Sequence, residues 1–459
     1  MKNIIEKKDF EIIKIANSLD LLFYTPNSQL FPLTNYSLIE YFYNCKNFNN
    51  HSENQYFNLK ETNQIFKYLN LQFKKSLPPV EIVTPKNNLN YLILPISGKC
   101  NLKCAYCFAR IDNNFLFNDI TNNEAKQIVD YLFNDLNLEE CTICFFGGEP
   151  FLNLKTMQFV VDYITDNFNE RNVGYTVTTN GTILNKKILE FIKNHNISVM
   201  ISIDGPKDIS VHRVYHDHQS SFDDTMRTIT KLKANYIDVE LRATVTNDNI
   251  QILRIYDFFE NLKLPFDIIF AYDSENKGHS LSNYAKNLQS IENQLNDLKE
   301  YYINTLESGK KINCVSVLRK LNEVSIRRKS NYACLAGHSM FSITSDGEIY
   351  TCEHLAGIKK FSTGNIFSGI NKSRINELQS INVERIEDCK KCWLRYLCSG
   401  GCFSANIAST GSFKNPNKEK CELIKIEWKF ILSLYYEINT KFPDYFKTYQ
   451  FKTKENEEC

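Results

Sequence analysis

Six strand-like runs alternating with five helical patterns predict an α/β fold, a partial (β/α)6 TIM-like barrel, over residues 90–280. The runs are YLILPI (91–96), CTICFF (141–146), GYTVTTN (174–180), SVMISID (198–204), VELRATV (239–245) and FDIIFAY (266–272). Helix-period stretches separate them near 121–136, 153–169, 185–194, 222–235 and 249–261. Such alternation implies parallel strands joined by right-handed crossovers. A second observation is the placement of the polar motifs. CNLKCAYC (100–107) follows the first run, GGEP (147–150) the second, TNG (179–181) ends the third and SIDG (202–205) the fourth. Barrels of this kind carry their chemistry at the C-terminal ends of the strands, so the four motifs share one mouth.

The flanking elements follow in order. LLFYTPNSQLFPLTN (21–35) reads as two short strands around a Pro-Asn-Ser turn, and YSLIEYFYNC (36–45) and ETNQIFKYLNLQF (61–73) have helical apolar spacing. Residues 1–80 therefore predict a small α+β module, and the prolines of KKSLPPVEIVTPKNN (74–88) mark a linker. After the barrel a helical bridge spans 281–330, with NYAKNLQSIENQLNDLKEYYINTL (283–306) as its helix. A cysteine-rich domain fills 331–425. LIKIEWKFILSLYYEINTKF (423–442) predicts an amphipathic helix in a last segment, 426–459.

A chain of 459 residues, 43% apolar, suggests two or three globular domains. Its formal net charge of +1 gives no reason to expect nucleic-acid binding, and no basic run marks a membrane-facing patch. The charged start MKNIIEKKDF lacks a signal-peptide core, and no apolar run approaches the ~20 residues of a bilayer span. A soluble, cytoplasmic protein without membrane insertion is expected. Fifteen cysteines, an odd number with CxxC-type spacings and no secretory context, favour metal ligation over disulfides.

Cys100, Cys104 and Cys107 offer three thiolates where tetrahedral zinc and a [4Fe–4S] cube both want four ligands. They suit three irons of a cube with one iron open, or a zinc with a distant fourth ligand. The position after strand one and the following GGEP favour the cube. With Tyr106 before the last cysteine, GGEP and a partial barrel, residues 90–275 resemble the radical S-adenosylmethionine (SAM) enzymes. The resemblance implies that the amino and carboxylate groups of SAM complete the cluster. An electron from the cluster then cleaves SAM to a 5′-deoxyadenosyl radical, which takes hydrogen from an unactivated carbon. It further implies that Gly147 and Gly148 let backbone approach the methionine moiety and that Glu149 accepts from its ammonium. Ser202 and Asp204 would contact the ribose, with Asn180 in the same region. Arg213, in VHRVYHD, would pair with the cofactor carboxylate or lie in solvent, and Tyr106 would lie near the adenine or simply pack.

The second group reads Cys334-x12-Gly347-x4-Cys352, then Cys389-x2-Cys392-x5-Cys398-x3-Cys402, then Cys421. A zinc ribbon stops at four ligands, and seven are too many for one zinc. The order matches the seven-cysteine pattern of the SPASM extension found in radical enzymes that modify peptides and proteins. That resemblance implies two auxiliary [4Fe–4S] clusters, three in all. Cys389, Cys392, Cys398 and Cys421 would hold the distal one, and Cys334, Cys352 and Cys402 the proximal one. Its fourth ligand would be Cys314 or a substrate thiolate, unless Cys314 is an ordinary buried thiol. Cys141 and Cys144, three apart in a strand, face opposite ways and read as core, while Cys45 and Cys459 have no partner in sequence. Glu353, next to Cys352 and His354, resembles an acidic proton acceptor of sulfatase-maturing relatives and is the candidate base.

The front module resembles the winged-helix domain by which many peptide-modifying enzymes bind a leader as an added strand; a structural cap is the plainer possibility. The expected function is a radical SAM peptide maturase that abstracts hydrogen from a leader-bearing precursor peptide and installs a cross-link, first a Cys-to-carbon thioether. A carbon–carbon or cyclophane link and a formylglycine-type sulfatase maturase are alternatives, the latter fitting the long N-terminus poorly. A non-catalytic electron-transfer or scaffold protein is the alternative of another class, against which the intact motifs argue. A low-potential electron donor of flavodoxin or ferredoxin type is the implied second partner.

Overall fold

A computed structural model of the chain describes residues 10–14, 20–25, 28–33, 82–83, 88–111, 114–271 and 281–448. The helices read at 36–45 and 61–73, with Cys45 and Cys459, lie outside the described residues. The front of the chain contributes an antiparallel meander, β1 (Phe10–Lys14), β2 (Asp20–Tyr24) and β3 (Gln29–Leu33). The two strands read around Pro-Asn-Ser are β2 and β3. β1 was missed because FEIIK is too short an apolar run to show a period.

The barrel follows as read. Its strands are β4 (Tyr91–Ser97), β5 (Glu140–Gly147), β6 (Asn172–Thr179), β7 (Ser198–Ser202), β8 (Val239–Val245) and β9 (Phe266–Phe270). They are all parallel and lie in the order β9-β8-β7-β6-β5-β4. Between them run α1 (Asn122–Asp130), α2 (Leu154–Asn167), α3 (Lys186–Asn194), α4 (Phe222–Ala234) and α5 (Ile252–Leu262). Thr121 and Glu124 start α1 with a reciprocal capping box. Alternation sorts each strand. In β8, Val239, Leu241, Ala243 and Val245 are buried in the main core, while Glu240, Arg242 and Thr244 point the other way.

The sheet does not close on itself. It continues past β4 into β10 (Met340–Ile343), parallel to β4, and then antiparallel β11 (Glu348–Tyr350), β12 (Gly364–Asn365) and β13 (Gly369–Ile370). One ten-stranded sheet thus runs through the barrel and the cysteine-rich domain. Backbone hydrogen bonds, not side chains alone, fix that domain against the first barrel strand.

The bridge holds α6 (Leu288–Glu307) and α7 (Val315–Ser325), and the last long helix is α8 (Lys418–Lys441). α6 starts five residues later than read. α8 starts five residues earlier, where Asn417 accepts from the Lys420 N–H as its cap. Cys421 therefore sits in a helical first turn. The meander packs on this end of the molecule: Phe23 meets Trp393 edge-on at 5.7 Å, Thr25 Oγ1 donates to the Trp393 carbonyl at 2.6 Å, and Glu11 pairs with Lys429 at 3.1 Å. No helix among the described residues is long and apolar enough to cross a membrane.

Candidate functional site: a cysteine-lined barrel mouth

The loop after β4 is clamped from two sides. On one side the GGEP turn pairs with it: Gly148 N–H donates to the Ser97 carbonyl and Glu149 N–H to the Lys99 carbonyl, both at 2.7 Å. Gly147 has φ +136°, and a Cβ there would stand 2.4 Å from Ser97 O; at Gly148 it would stand 2.2 Å from Lys99 O. These glycines admit the backbone of the cysteine loop, which a Cβ at either position would meet. On the other side Lys103 N–H donates to the Val214 carbonyl at 2.7 Å, Leu102 bridges Tyr215, and a His216 ring nitrogen lies 3.1 Å from Cys100 O. Cys100, Cys104 and Cys107 are half-buried and feel one another's charge, and burial pushes the Cys100 thiol up to about 12. Thiols of this kind become thiolates when a bound cationic group compensates them.

Tyr106, half-buried, forms a triad with buried Asp204 and Arg213. Its hydroxyl meets both oxygens of Asp204, at 2.7 and 2.9 Å, and accepts from Arg213 at 2.8 Å. Thr244 N–H also donates to Asp204, at 3.2 Å. Arg213 is buried, which removes the solvent alternative left open by the sequence. Its Nε has no hydrogen-bond partner among the described residues. Burial raises the Asp204 carboxyl above its ordinary range, and the Arg213 charge opposes this. Ser202 stands half-buried at the end of β7, two residues before Asp204.

Glu149 and Asn180 tie the turn to the loop. Glu149 is fully buried and accepts from Thr179 Oγ1 and Asn180 N–H, each at 2.8 Å, and from Phe151 N–H at 3.2 Å. Burial raises its carboxyl, and those donors oppose the rise. One acceptor direction of the four is left for another donor. Asn180 Nδ2 lies 3.6 Å from Cys100 Sγ and 2.9 Å from Asn101 Oδ1. It therefore supports Cys100 directly.

The C-terminal cysteines fall into two groups. Cys352 feels the charges of Glu353, Cys402 and Cys334. Cys398 feels those of Cys421, Cys392 and Cys389. A cavity of about 250 Å³ is walled by Cys389, Cys392, Cys398, Cys402 and Cys421 with Lys420 and Lys425. No three His, Cys, Asp or Glu side chains among the described residues converge on a single-ion site. Cys314 does not join them. It is fully buried beside Phe266 at the start of β9, with Ser316 Oγ at 3.5 Å and Tyr256 Oη at 3.9 Å. Cys314 packs in the main core, and the groups around it are Tyr256, Ser316 and Asp267, with Cys334, Cys352 and Cys402 not among them.

Glu353 is half-buried beside this three-cysteine group, 3.8 Å from His354. The His354 ring lies 3.7 Å from that of Phe108, which stacks at 6.1 Å on Phe146. These rings roof the lumen. Arg242, whose nearest carboxylate is Asp267 at 3.8 Å, faces it from β8 in register with Ser202. The sequence reading missed Phe108, Phe146 and Arg242. For Arg242 a signal existed, a charge on the inner face of a barrel strand. Cys141 and Cys144 are buried on opposite faces of β5, Cys141 in the main core and Cys144 outside it.

Comparison with known proteins addresses the same region. The chain matches the Radical SAM superfamily over residues 94–259. It is 30% identical over 337 residues to a cysteine-type anaerobic sulfatase-maturating enzyme of Clostridium novyi (strain NT), covering 69% of this chain and 88% of the relative. Among solved structures, native anSMEcpe with bound AdoMet aligns with a TM-score of 0.64 at 21% identity, covering 76% of this chain and 100% of that one. Streptococcus suis SuiB bound to precursor peptide SuiA aligns at 0.51 and 16% identity, covering 90% of this chain and 98% of that one. Both structural likenesses concern the fold. Taken with the clamped cysteine loop, the sequence match shows that the chain belongs to the radical SAM superfamily, enzymes that work with S-adenosylmethionine and a [4Fe–4S] cluster.

Proposed function

We propose that the chain is a maturase of a ribosomally made precursor peptide, with two auxiliary [4Fe–4S] clusters beside the radical one. The observation that carries this reading is the grouping of Cys334, Cys352 and Cys402 around Glu353, beside the start of β4. Cys100, Cys104 and Cys107 would hold the radical cluster, Cys334, Cys352 and Cys402 the proximal cluster, and Cys389, Cys392, Cys398 and Cys421 the distal one. Once bound, these groups supply the one-electron chemistry that removes hydrogen from carbon. The chain's own residues do the rest. Tyr106, Asp204 and Arg213 hold the cluster loop, and the open Nε of Arg213 is available to a carboxylate. Phe108, Phe146 and His354 keep water from the lumen, and the Glu353 carboxylate takes the substrate proton.

With Cys314 packed in the main core, three protein thiolates would leave the proximal cluster open to a substrate thiolate. That favours a Cys-to-carbon thioether, and the front meander is read as part of the leader-binding module. A formylglycine-type maturase is supported as strongly by the Clostridium novyi relative, and Glu353 would be the base in that reaction too. A carbon–carbon link stays as a further product. A low-potential flavodoxin or ferredoxin would deliver the electrons.

The test is anaerobic reconstitution with iron and sulfide analysis, followed by dithionite, SAM and a cysteine-containing precursor peptide. About twelve irons per chain, with release of 5′-deoxyadenosine, supports the reading. A peptide that loses two hydrogens and resists thiol alkylation is a thioether product; one that gains a hydrazide-reactive aldehyde is a formylglycine product. Zinc in place of iron, or full iron with no SAM cleavage, would leave a binding or electron-transfer protein.

A further inference from the structure

The first turn of α8 carries more than Cys421. Glu419 Oε1 accepts from the backbone N–H groups of Tyr284 and Ala285, at 2.6 and 3.0 Å. Lys420 Nζ donates to the backbone carbonyls of Phe270 and Ala271, at 3.3 and 3.5 Å. Cys421 comes next and belongs with Cys389, Cys392 and Cys398. Three consecutive residues thus join one cysteine group to two backbone segments about 135–150 residues away.

One of those segments is the C-terminal end of a barrel strand, and the other packs on such ends. Phe270 ends β9 and Ala271 follows it. Tyr284 is fully buried, donates its hydroxyl to the Val245 carbonyl at the end of β8 at 2.6 Å, and meets the Phe270 ring edge-on at 5.4 Å. The Lys420 ammonium lies 5.9 Å from the Phe270 ring and 5.8 Å from that of Tyr284. The register of β8 on β9 is already satisfied by their own backbone from Leu241–Phe266 to Val245–Phe270. The contacts from α8 therefore add position, not pairing. Each is a hydrogen bond to a charged group, the stronger kind.

We propose that Glu419, Lys420 and Cys421 form a joint: ligation at Cys421 holds the helix turn, and the turn holds the ends of β8 and β9. Glu419 and Lys420 are positioning residues. This rests on the reading that Cys421 holds an auxiliary cluster. A helix's first turn has no partners of its own above it and frays when nothing anchors it. A cluster ligand one residue from the clamp removes that freedom. The strand ends form the barrel mouth, where small displacements of a reacting group are costly.

The test is hydrogen–deuterium exchange on the full, reconstituted chain. Peptides covering 266–271 and 281–287 are followed, with 340–343 of β10 as reference. Wild type is compared with Cys421→Ser, Glu419→Gln, Lys420→Met and Lys420→Arg. Loss of the ligand, of the carboxylate or of the ammonium is expected to speed exchange at Tyr284 and Ala285 by roughly tenfold while β10 stays protected. Lys420→Arg keeps wild-type exchange, and Glu419→Gln and Lys420→Met keep about twelve irons per chain. Wild-type exchange at 266–271 and 281–287 in Cys421→Ser overturns the joint and leaves the cluster assignment standing. Wild-type iron that stops near four per chain overturns both. Should Cys421→Ser fail to fold, unchanged exchange in Lys420→Met at full iron overturns the joint by itself.

Discussion

Glu149 has no exposed surface, yet its carboxylate meets Thr179 Oγ1, Asn180 N–H and Phe151 N–H, and through Asn180 it reaches a Cys100 contact. A buried charge is tolerated when it is hydrogen-bonded in this way. Replacing Glu149 with Gln turns one acceptor into a donor facing donors. A loss of roughly 1–3 kcal/mol is expected, read by urea unfolding of the cluster-free protein, with weaker iron retention at the cysteine loop. Tyr106→Phe removes the hydroxyl joining Asp204 to Arg213. A loss of similar size, about 1–3 kcal/mol, and a raised SAM KM are expected. An unchanged KM would mean that the triad does not position the loop. Gly148→Ala places a Cβ 2.2 Å from Lys99 O, against backbone that cannot rotate away. The expected outcome is loss of the radical cluster, about four irons of twelve, with the auxiliary iron retained. These three roles were legible only in part. GGEP and CxxxCxxC stand out as strings, but that the glycines serve the cysteine loop depends on two segments 50 residues apart meeting.

The α8 helix shows what an element adds. Its apolar stripe was readable from LIKIEWKFILSLYYEINTKF, but its start was not, because Asn417 and the polar Lys-Glu-Lys turn resemble loop until the cap is seen. Cys421 is consequently held by a helix, and Cys314 packs in the main core at the start of β9. Cys314→Ser should keep full iron and cost stability only, whereas Cys352→Ser should lose about four irons per chain. Metal analysis of the two variants side by side decides this. At the front of the chain, Phe23 supports Trp393, which follows Cys392. Phe23→Ala is expected to cost about 3–5 kcal/mol if the meander unfolds with the cysteine-rich domain, and to leave the main transition unmoved if the meander melts alone. Thermal unfolding followed by tryptophan emission distinguishes these.

Across the whole molecule, one sheet links the strand before the first cysteine loop to the strands between Cys334 and Cys352. β10 pairs with β4, so the cysteine-rich domain is an extension of the barrel's first edge. Cluster binding to thiolates is coupled to folding. Chelation of iron is therefore expected to lower the melting temperature of the entire unit and not to release a separate domain. Calorimetry of loaded and stripped protein checks it, and two well-separated transitions in the stripped form would contradict it. The sequence by itself determined the barrel, because alternating apolar runs of period 2 and 3.6 are local signals that survive in a string. It also determined which cysteines share a loop and the order of the rest. Only the tertiary structure decided what each polar group faces. It buried Arg213 with Asp204 beside Tyr106, set Glu353 beside Cys352, Cys334 and Cys402, placed Cys314 in the main core, and brought Glu419 and Lys420, next to Cys421, onto Tyr284 and the end of β9. The reason is physical: periodicity is set by neighbours along the chain, whereas a buried polar group takes whichever partner the packing of distant segments brings to it.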